Sequence, residues 1–254
     1  MKRIERYLVI GASSEVGMAF IKLLEEKAGS GQAPDKVQVM VHYGSHAEEL
    51  RTLEKQCPHL VFEYFQCDLS NEEQVDSFAR QLEEREAIPQ AFIYLAAGKM
   101  KYEKLKKMEL TGLDRAYQIQ VRALARLCKA VLPVMAKNKF GKAVVMLSEC
   151  TLGMPPKYMA EYVTVKYAAL GLMRALSLEY ADKNINVNGL SPGMMETKFL
   201  SEIDARFVEM NAAGSIKKRN ATTKEAAQAI AFLVSEGSDY MNGVNLNLSG
   251  GNQI

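Results

Sequence analysis

Residues 7–17 read YLVIGASSEVG. A β-branched run, Tyr7 to Ile10, gives way to a turn of small residues, Gly11 to Gly17, and an amphipathic helix follows over Val16 to Glu26. In open α/β sheets ligands gather at the carboxyl ends of strands. A turn without bulky side chains there lets backbone N–H groups at a helix N-terminus face a pyrophosphate. The glycine spacing departs from GxGxxG, so the turn also reads as a plain strand-to-helix connection, and the rest of the chain has to decide.

Working outward, the same alternation repeats. Strands are expected over Val37–Tyr43, Leu60–Gln66, Ala91–Leu95, Ala143–Leu147, Ile185–Leu190 and Val244–Leu248. Helical patterns fall between them over Glu48–Lys55, Glu72–Arg85, Leu113–Lys137, Met159–Ala181 and Lys224–Ser235. Such alternation means βαβ units. Right-handed crossovers then make the fold class α/β: one doubly wound (Rossmann) domain with about seven parallel strands and helices on both faces. No composition break divides residues 1–254, and Gly29–Pro34 is a flexible loop too short to link two domains. Met159–Ala181 is apolar nearly all round, which predicts a subunit interface and hence a homo-oligomer, a tetramer or dimer.

The bulk numbers remove several function classes. The 254 residues are 48% hydrophobic and 24% charged with a net charge of +2, which offers no global attraction to nucleic acid or an anionic membrane. The one basic cluster, Lys99 to Lys107, reads as a solvated helix face. Cys57, Cys67, Cys128 and Cys150 are scattered without a CxxC pair, and only three His are present, so no metal site is expected. Free thiols, no signal-peptide pattern and no long apolar run fit a cytoplasmic, non-membrane protein.

Tyr162-x-x-x-Lys166 puts a phenol and an ammonium one turn apart on one helix face. A cation beside a phenol favours the phenolate, so the pair is expected to lower the Tyr162 pKa toward neutrality, as a proton shuttle requires. Tyr102-x-x-x-Lys106 has the same local pattern. Context separates them, because only Tyr162 follows a buried strand that ends in a hydroxyl, Ser148.

With these residues the chain resembles the short-chain dehydrogenase/reductase family, in the form of about this length, from end to end. Gly11, Ser13, Ser14, Glu15, Val16 and Gly17 fall on its cofactor glycine motif, and Asp68-Leu69 on its adenine contact. Ala97-Gly98 closes the fourth strand as that family's motif does. Ser148, Tyr162 and Lys166 match its catalytic trio. Asn188 and the stretch Pro192-Gly193-Met194-Met195-Glu196-Thr197 match its nicotinamide-side loop, including Pro192, Gly193, Met195 and Thr197; Gly243 and Gly250-Gly251 fit its last strand and turn. The resemblance implies hydride exchange between a nicotinamide cofactor and a carbonyl or alcohol. In that scheme Ser148 polarises the substrate oxygen, Tyr162 exchanges its proton, and Lys166 holds the ribose and tunes Tyr162. A substrate lid is expected at about 194–215.

Four departures stand out. Glu15 replaces the middle glycine; a carboxylate in a first helical turn suits the helix dipole and is expected to point to solvent. Gln120 stands where the family's fourth catalytic residue, an Asn, belongs. Leu95 and Ala96 replace two Asn that brace the sheet end. The second strand ends His42-Tyr43-Gly44-Ser45-His46 without an acid, so Tyr43, Gly44 and Ser45 would flank the adenosine ribose and NADP(H) is favoured over NAD(H). Met100, Met154, Met194, Met195 and Phe199 are expected to wall an apolar substrate pocket. A 3-oxoacyl thioester leads among substrates, with steroids, sugars and polyketide ketones open. The alternative of another class is a dinucleotide-binding sensor or partner subunit with weak or no turnover.

Overall fold

The computed structural model describes residues 4–31, 36–85 and 88–252; the expected Gly29–Pro34 loop lies outside the described residues beyond Gly31. Seven strands are present: β1 (Ile4–Ile10), β2 (Lys36–Tyr43), β3 (Leu60–Gln66), β4 (Ala91–Tyr94), β5 (Gly141–Met146), β6 (Ile185–Pro192) and β7 (Asn245–Leu248). They form one sheet in the order β3-β2-β1-β4-β5-β6-β7, and every neighbouring pair is parallel. The chain therefore winds outward from β1 to β3 and returns to the other side of β1 as β4. At that reversal the connections leave toward opposite faces and open a crevice at the strands' carboxyl ends.

The described residues hold eight α-helices: α1 (Glu15–Gly29), α2 (Glu48–Glu54), α3 (Glu72–Glu83), α4 (Leu110–Tyr117), α5 (Ala123–Lys137), α6 (Ala160–Glu179), α7 (Ala205–Gly214) and α8 (Thr223–Leu233). In β1 successive side chains take opposite faces. Val9 joins Phe20 and Ile21 of α1, Leu50 of α2 and Ile230 of α8 in one core. Leu8 and Ile10 join Phe78 of α3, Leu124 and Leu127 of α5 and Met173 of α6 in the other. Burial on both faces explains why the strands read as continuous apolar runs rather than alternating ones.

The long helix expected over Leu113–Lys137 is interrupted. A π-helical turn, Gln118–Arg122, separates α4 from α5, and the Tyr94 hydroxyl donates to the carbonyl of Ile119 within it. The basic stretch is not a helix face: only Leu105–Lys107 forms a 3-10 turn, Lys99 pairs with Glu202, and the Lys104 ammonium lies 5.7 Å above the Tyr158 ring. Helix α7, unread in the sequence, falls in the segment after β6.

Strand β5 starts earlier than its apolar run because Lys142 is inside it. That residue is only 2% exposed, and its ammonium donates to Ser238 Oγ at 3.1 Å and pairs with Asp239 at 2.5 Å. The Asp239 side chain is largely in water, so it keeps its solvation without the lysine. Lys142→Met, which preserves volume, should then stay within about 1 kcal/mol of wild type in urea unfolding, whereas Asp239→Ala should lose on the order of 3 kcal/mol by stranding a buried charge. Equal losses in the two variants would refute this account.

Candidate active site

The crevice is a cleft of about 550 Å³. Gly11, Ser13, Ser14, Glu15, Val16, Gly44, Asp68, Leu69, Ala97 and Gly98 line one part of it. Ser148, Tyr162, Lys166, Pro192, Gly193, Met195 and Thr197 line the rest. Gly17, Tyr43, Ser45 and Gln120, also singled out in the sequence, are not on its wall. Gly17 serves packing instead: a Cβ there would come within 2.7 Å of the Ala12 carbonyl, so glycine lets α1 start close against the turn. Tyr43 stacks edge-to-face on Tyr64, and Ser45 is exposed.

The turn is built by three devices. Gly11 has φ +78, a backbone state that costs glycine nothing, and a Cβ there would approach the Ala96 nitrogen to 3.1 Å. Ser14 caps α1, accepting from Gly17 N at 3.1 Å and donating to Gly11 O at 2.7 Å. The third was not anticipated. His42, 3% exposed, accepts from Gly11 N through Nδ1 at 3.1 Å, and its Nε2 donates to Cys67 O at 3.0 Å. Both bonds require the neutral ring with its proton on Nε2. An isolated histidine in an apolar strand was the only sequence trace of this role.

Ser148, Tyr162 and Lys166 converge in the cleft. Ser148 leaves the end of β5, and Tyr162 and Lys166 lie one turn apart near the start of α6. Ser148 Oγ accepts from Cys150 N at 3.4 Å, and both Ser148 and Tyr162 line the cleft. The Lys166 ammonium lies 5.6 Å from the Tyr162 ring centre and donates to the Met146 carbonyl at 2.9 Å. Here the expected depression of the Tyr162 pKa is corrected. Burial raises it above 10.0, and burial lowers that of Lys166 to about 8. Desolvation penalises the charged form of each. Tyr102 lies outside the cleft, its ring against Tyr158 and Phe207.

Other polar groups sharpen the picture. Asp68 accepts from Ser70 N and Oγ at 2.9 and 2.7 Å, and those bonds lower its pKa, so it is an anion at the glycine-turn end of the cleft. Gln120 is buried with Oε1 unpartnered, and its neighbour Ile119 lines the cleft in its place. Glu149 presses on Gly193 with Oε2 buried and unpartnered, and burial raises its pKa. Glu15 does not point to solvent: its Oε1 accepts the backbone N–H of Lys198 at 2.8 Å.

A dinucleotide suits this cradle. The backbone at Gly98 has no atom within 4 Å of a would-be Cβ, so a ligand can approach it closely. The first N–H groups of α1 have no intrahelical acceptor and face anions readily. Among the described residues no cluster of metal-binding side chains exists, and no helix is long and apolar enough to cross a membrane. All four cysteines are free and buried.

Comparison with known proteins agrees with this geometry. The family described as enoyl-(acyl carrier protein) reductase matches residues 32–253. The chain belongs to the short-chain dehydrogenase/reductase family. It is 37% identical over 141 residues to dehydrogenase/reductase SDR family member 4 of Bos taurus, covering 54% of this chain and 50% of that protein, so the match spans about half the relative's length. It is 25% identical over 244 residues to the 3-oxoacyl-[acyl-carrier-protein] reductase of Rickettsia bellii, covering 96% of this chain and 95% of the relative. An NAD+-bound xylitol dehydrogenase superposes with a TM-score of 0.84 at 23% identity, covering 97% and 98% of the two chains.

Like the fold, the far wall of this short-chain dehydrogenase/reductase cleft is largely as expected. Met100, Met159 and Leu200 form a small core with Tyr162, Met194 and Phe199 beside it. Met154 does not contribute, being almost fully exposed. The site's dependence on His42 can be tested by pH. Burial holds its pKa at about 4 against an ordinary 6.5. The unfolded chain therefore takes up the proton first, and the stabilisation, whole above pH 6.5, declines as pH falls toward 4. Between pH 7 and 4.5 wild type should lose about 2 kcal/mol more stability than His42→Gln in urea titrations. Parallel losses would show that the ring is not held neutral.

Proposed function

We propose that the protein is an NAD(P)(H)-dependent oxidoreductase acting on a carbonyl or alcohol, with about residues 194–215 as a lid over an apolar substrate pocket. The observation that carries this reading is the meeting of Ser148, Tyr162 and Lys166 with the Gly11 turn in one cleft. A bound nicotinamide would supply or accept the hydride. The glycine turn, Asp68 and the Pro192–Thr197 loop would hold the dinucleotide, with Lys166 reaching its ribose. Ser148 donates to the substrate oxygen and so stabilises charge developing there. Tyr162, whose pKa burial keeps above 10.0, carries its proton at neutral pH and is poised to give it to a carbonyl oxygen. The apolar wall and the enoyl-(acyl carrier protein) reductase match support an acyl thioester as substrate.

One observation favours the second reading, a dinucleotide-binding protein of low turnover: Gln120 does not reach the cleft wall, so no side chain from that turn links Lys166 to solvent. Mutation separates the two. Tyr162→Phe should lower the rate of NADPH-dependent ketone reduction by about 10²–10⁴-fold while leaving NADPH affinity within a few-fold, and Tyr102→Phe should change neither. A Tyr162→Phe protein that kept more than about a tenth of the wild-type rate would end the catalytic reading. The acid-free turn after β2 further predicts that NADPH binds at least as tightly as NADH. A tenfold preference for NADH in fluorescence titration, about 1.4 kcal/mol, would contradict it.

A further inference from the structure

Lys198 is held twice. Its backbone N–H donates to Glu15 Oε1 at 2.8 Å, and its ammonium pairs with Glu49 Oε1 at 2.5 Å. Glu15 opens α1 and Glu49 lies in the first turn of α2, the helices that follow β1 and β2. A single residue of the segment after β6 thus joins α1, which the glycine turn opens, to α2. The same segment is anchored at the opposite rim, where Met100 N donates to Phe199 O at 3.4 Å and Lys99 pairs with Glu202 at 3.3 Å. Glu15, Lys198 and Phe199 all line the cleft.

We propose that Glu15 is a positioning residue, whose carboxylate clasps the lid through Lys198 and sets how fast the dinucleotide leaves. This rests on the dinucleotide reading above. The two bonds differ in kind. The Lys198–Glu49 pair is mostly in solvent and screened by salt, so it is the weak arm. The Glu15 bond runs from a backbone N–H to a carboxylate oxygen and is the stronger arm, and no change to the lysine side chain short of proline removes it. The clasp opens when both bonds break, and it holds shut without a contribution from the substrate.

Stopped-flow displacement of NADPH, with amide exchange at Lys198 in the free protein, tests the idea. Glu15→Ala should speed NADPH release at least tenfold and deprotect the Lys198 amide. Glu15→Gln, whose amide oxygen still accepts, should stay within about threefold of wild type. Lys198→Ala keeps the N–H and should have a small effect that vanishes at high salt. Lys198→Pro deletes the N–H and should match Glu15→Ala; Thr197 is already extended (φ −137, ψ 166), as a residue before proline must be. If Glu15→Ala and Glu15→Gln both slow release, the carboxylate acts by repelling the cofactor and the clasp is overturned. Unchanged release in Glu15→Ala overturns it as well. A wild type that binds neither NADPH nor NADH fails the dinucleotide reading, while the Lys198 amide still reports on the clasp by itself.

Discussion

The Gly11 N–H to His42 Nδ1 bond fixes the geometry on which the cleft depends. Where β1 ends, the chain leaves the sheet ladder, and a buried amide there must find a partner or cost the fold its full desolvation. His42 meets that need from β2, and through Nε2 it also binds the carbonyl of Cys67, just beyond β3. Three adjacent strand ends are thus tied through one imidazole, stacked on Phe78 from α3. The Ala12 N–H donates to the carbonyl of the same histidine, so the turn is gripped by both backbone and side chain. A ligand meeting this turn finds its first amides already oriented.

The same principle, burial of polar groups with few partners, governs the far side of the cleft. Tyr162 and Lys166 lie on one helix face, and their separation alone suggests that a cation should stabilise a phenolate. Solvent exclusion reverses that for the phenol, because each charged form loses hydration and Lys166 directs its ammonium at the Met146 carbonyl. The lysine remains the more easily ionised of the two, close to neutrality in its pKa, whereas the phenol holds its proton firmly.

Much of this was legible in the sequence because it rests on periodicity. Alternating apolar runs gave seven strands, all parallel, and the Ser148–Tyr162–Lys166 spacing located the cleft. What escaped depends on partners far away in the chain. Lys142 falls outside the strand expected over Ala143–Leu147, and it sits inside β5 because Ser238 and Asp239 cover its ammonium. The π-helical turn that carries Gln120 leaves no mark on apolar periodicity, since α4 and α5 continue it on either side. His42 carried no motif, and the lysines from 99 to 107 looked helical from charge alone although their partners are a distant Glu202 and an aromatic ring.

Glu15 shows why a departure from a motif must be weighed position by position. At Gly11 and Gly17 the backbone leaves no room for a Cβ, and both are still glycine. Position 15 is the first residue of α1, where any side chain fits and a carboxylate gains from the helix dipole by about 0.3–1 kcal/mol. Electrostatics near a bound pyrophosphate would work against that charge, yet the carboxylate is turned onto the Lys198 N–H and has the Lys198 ammonium as a neighbour. The substitution therefore falls where sterics permit it, and its charge is met by the Lys198 N–H of the segment after β6. A side chain here in place of a glycine exchanges an open backbone for a carboxylate that binds across the cleft, and the cleft still forms around it.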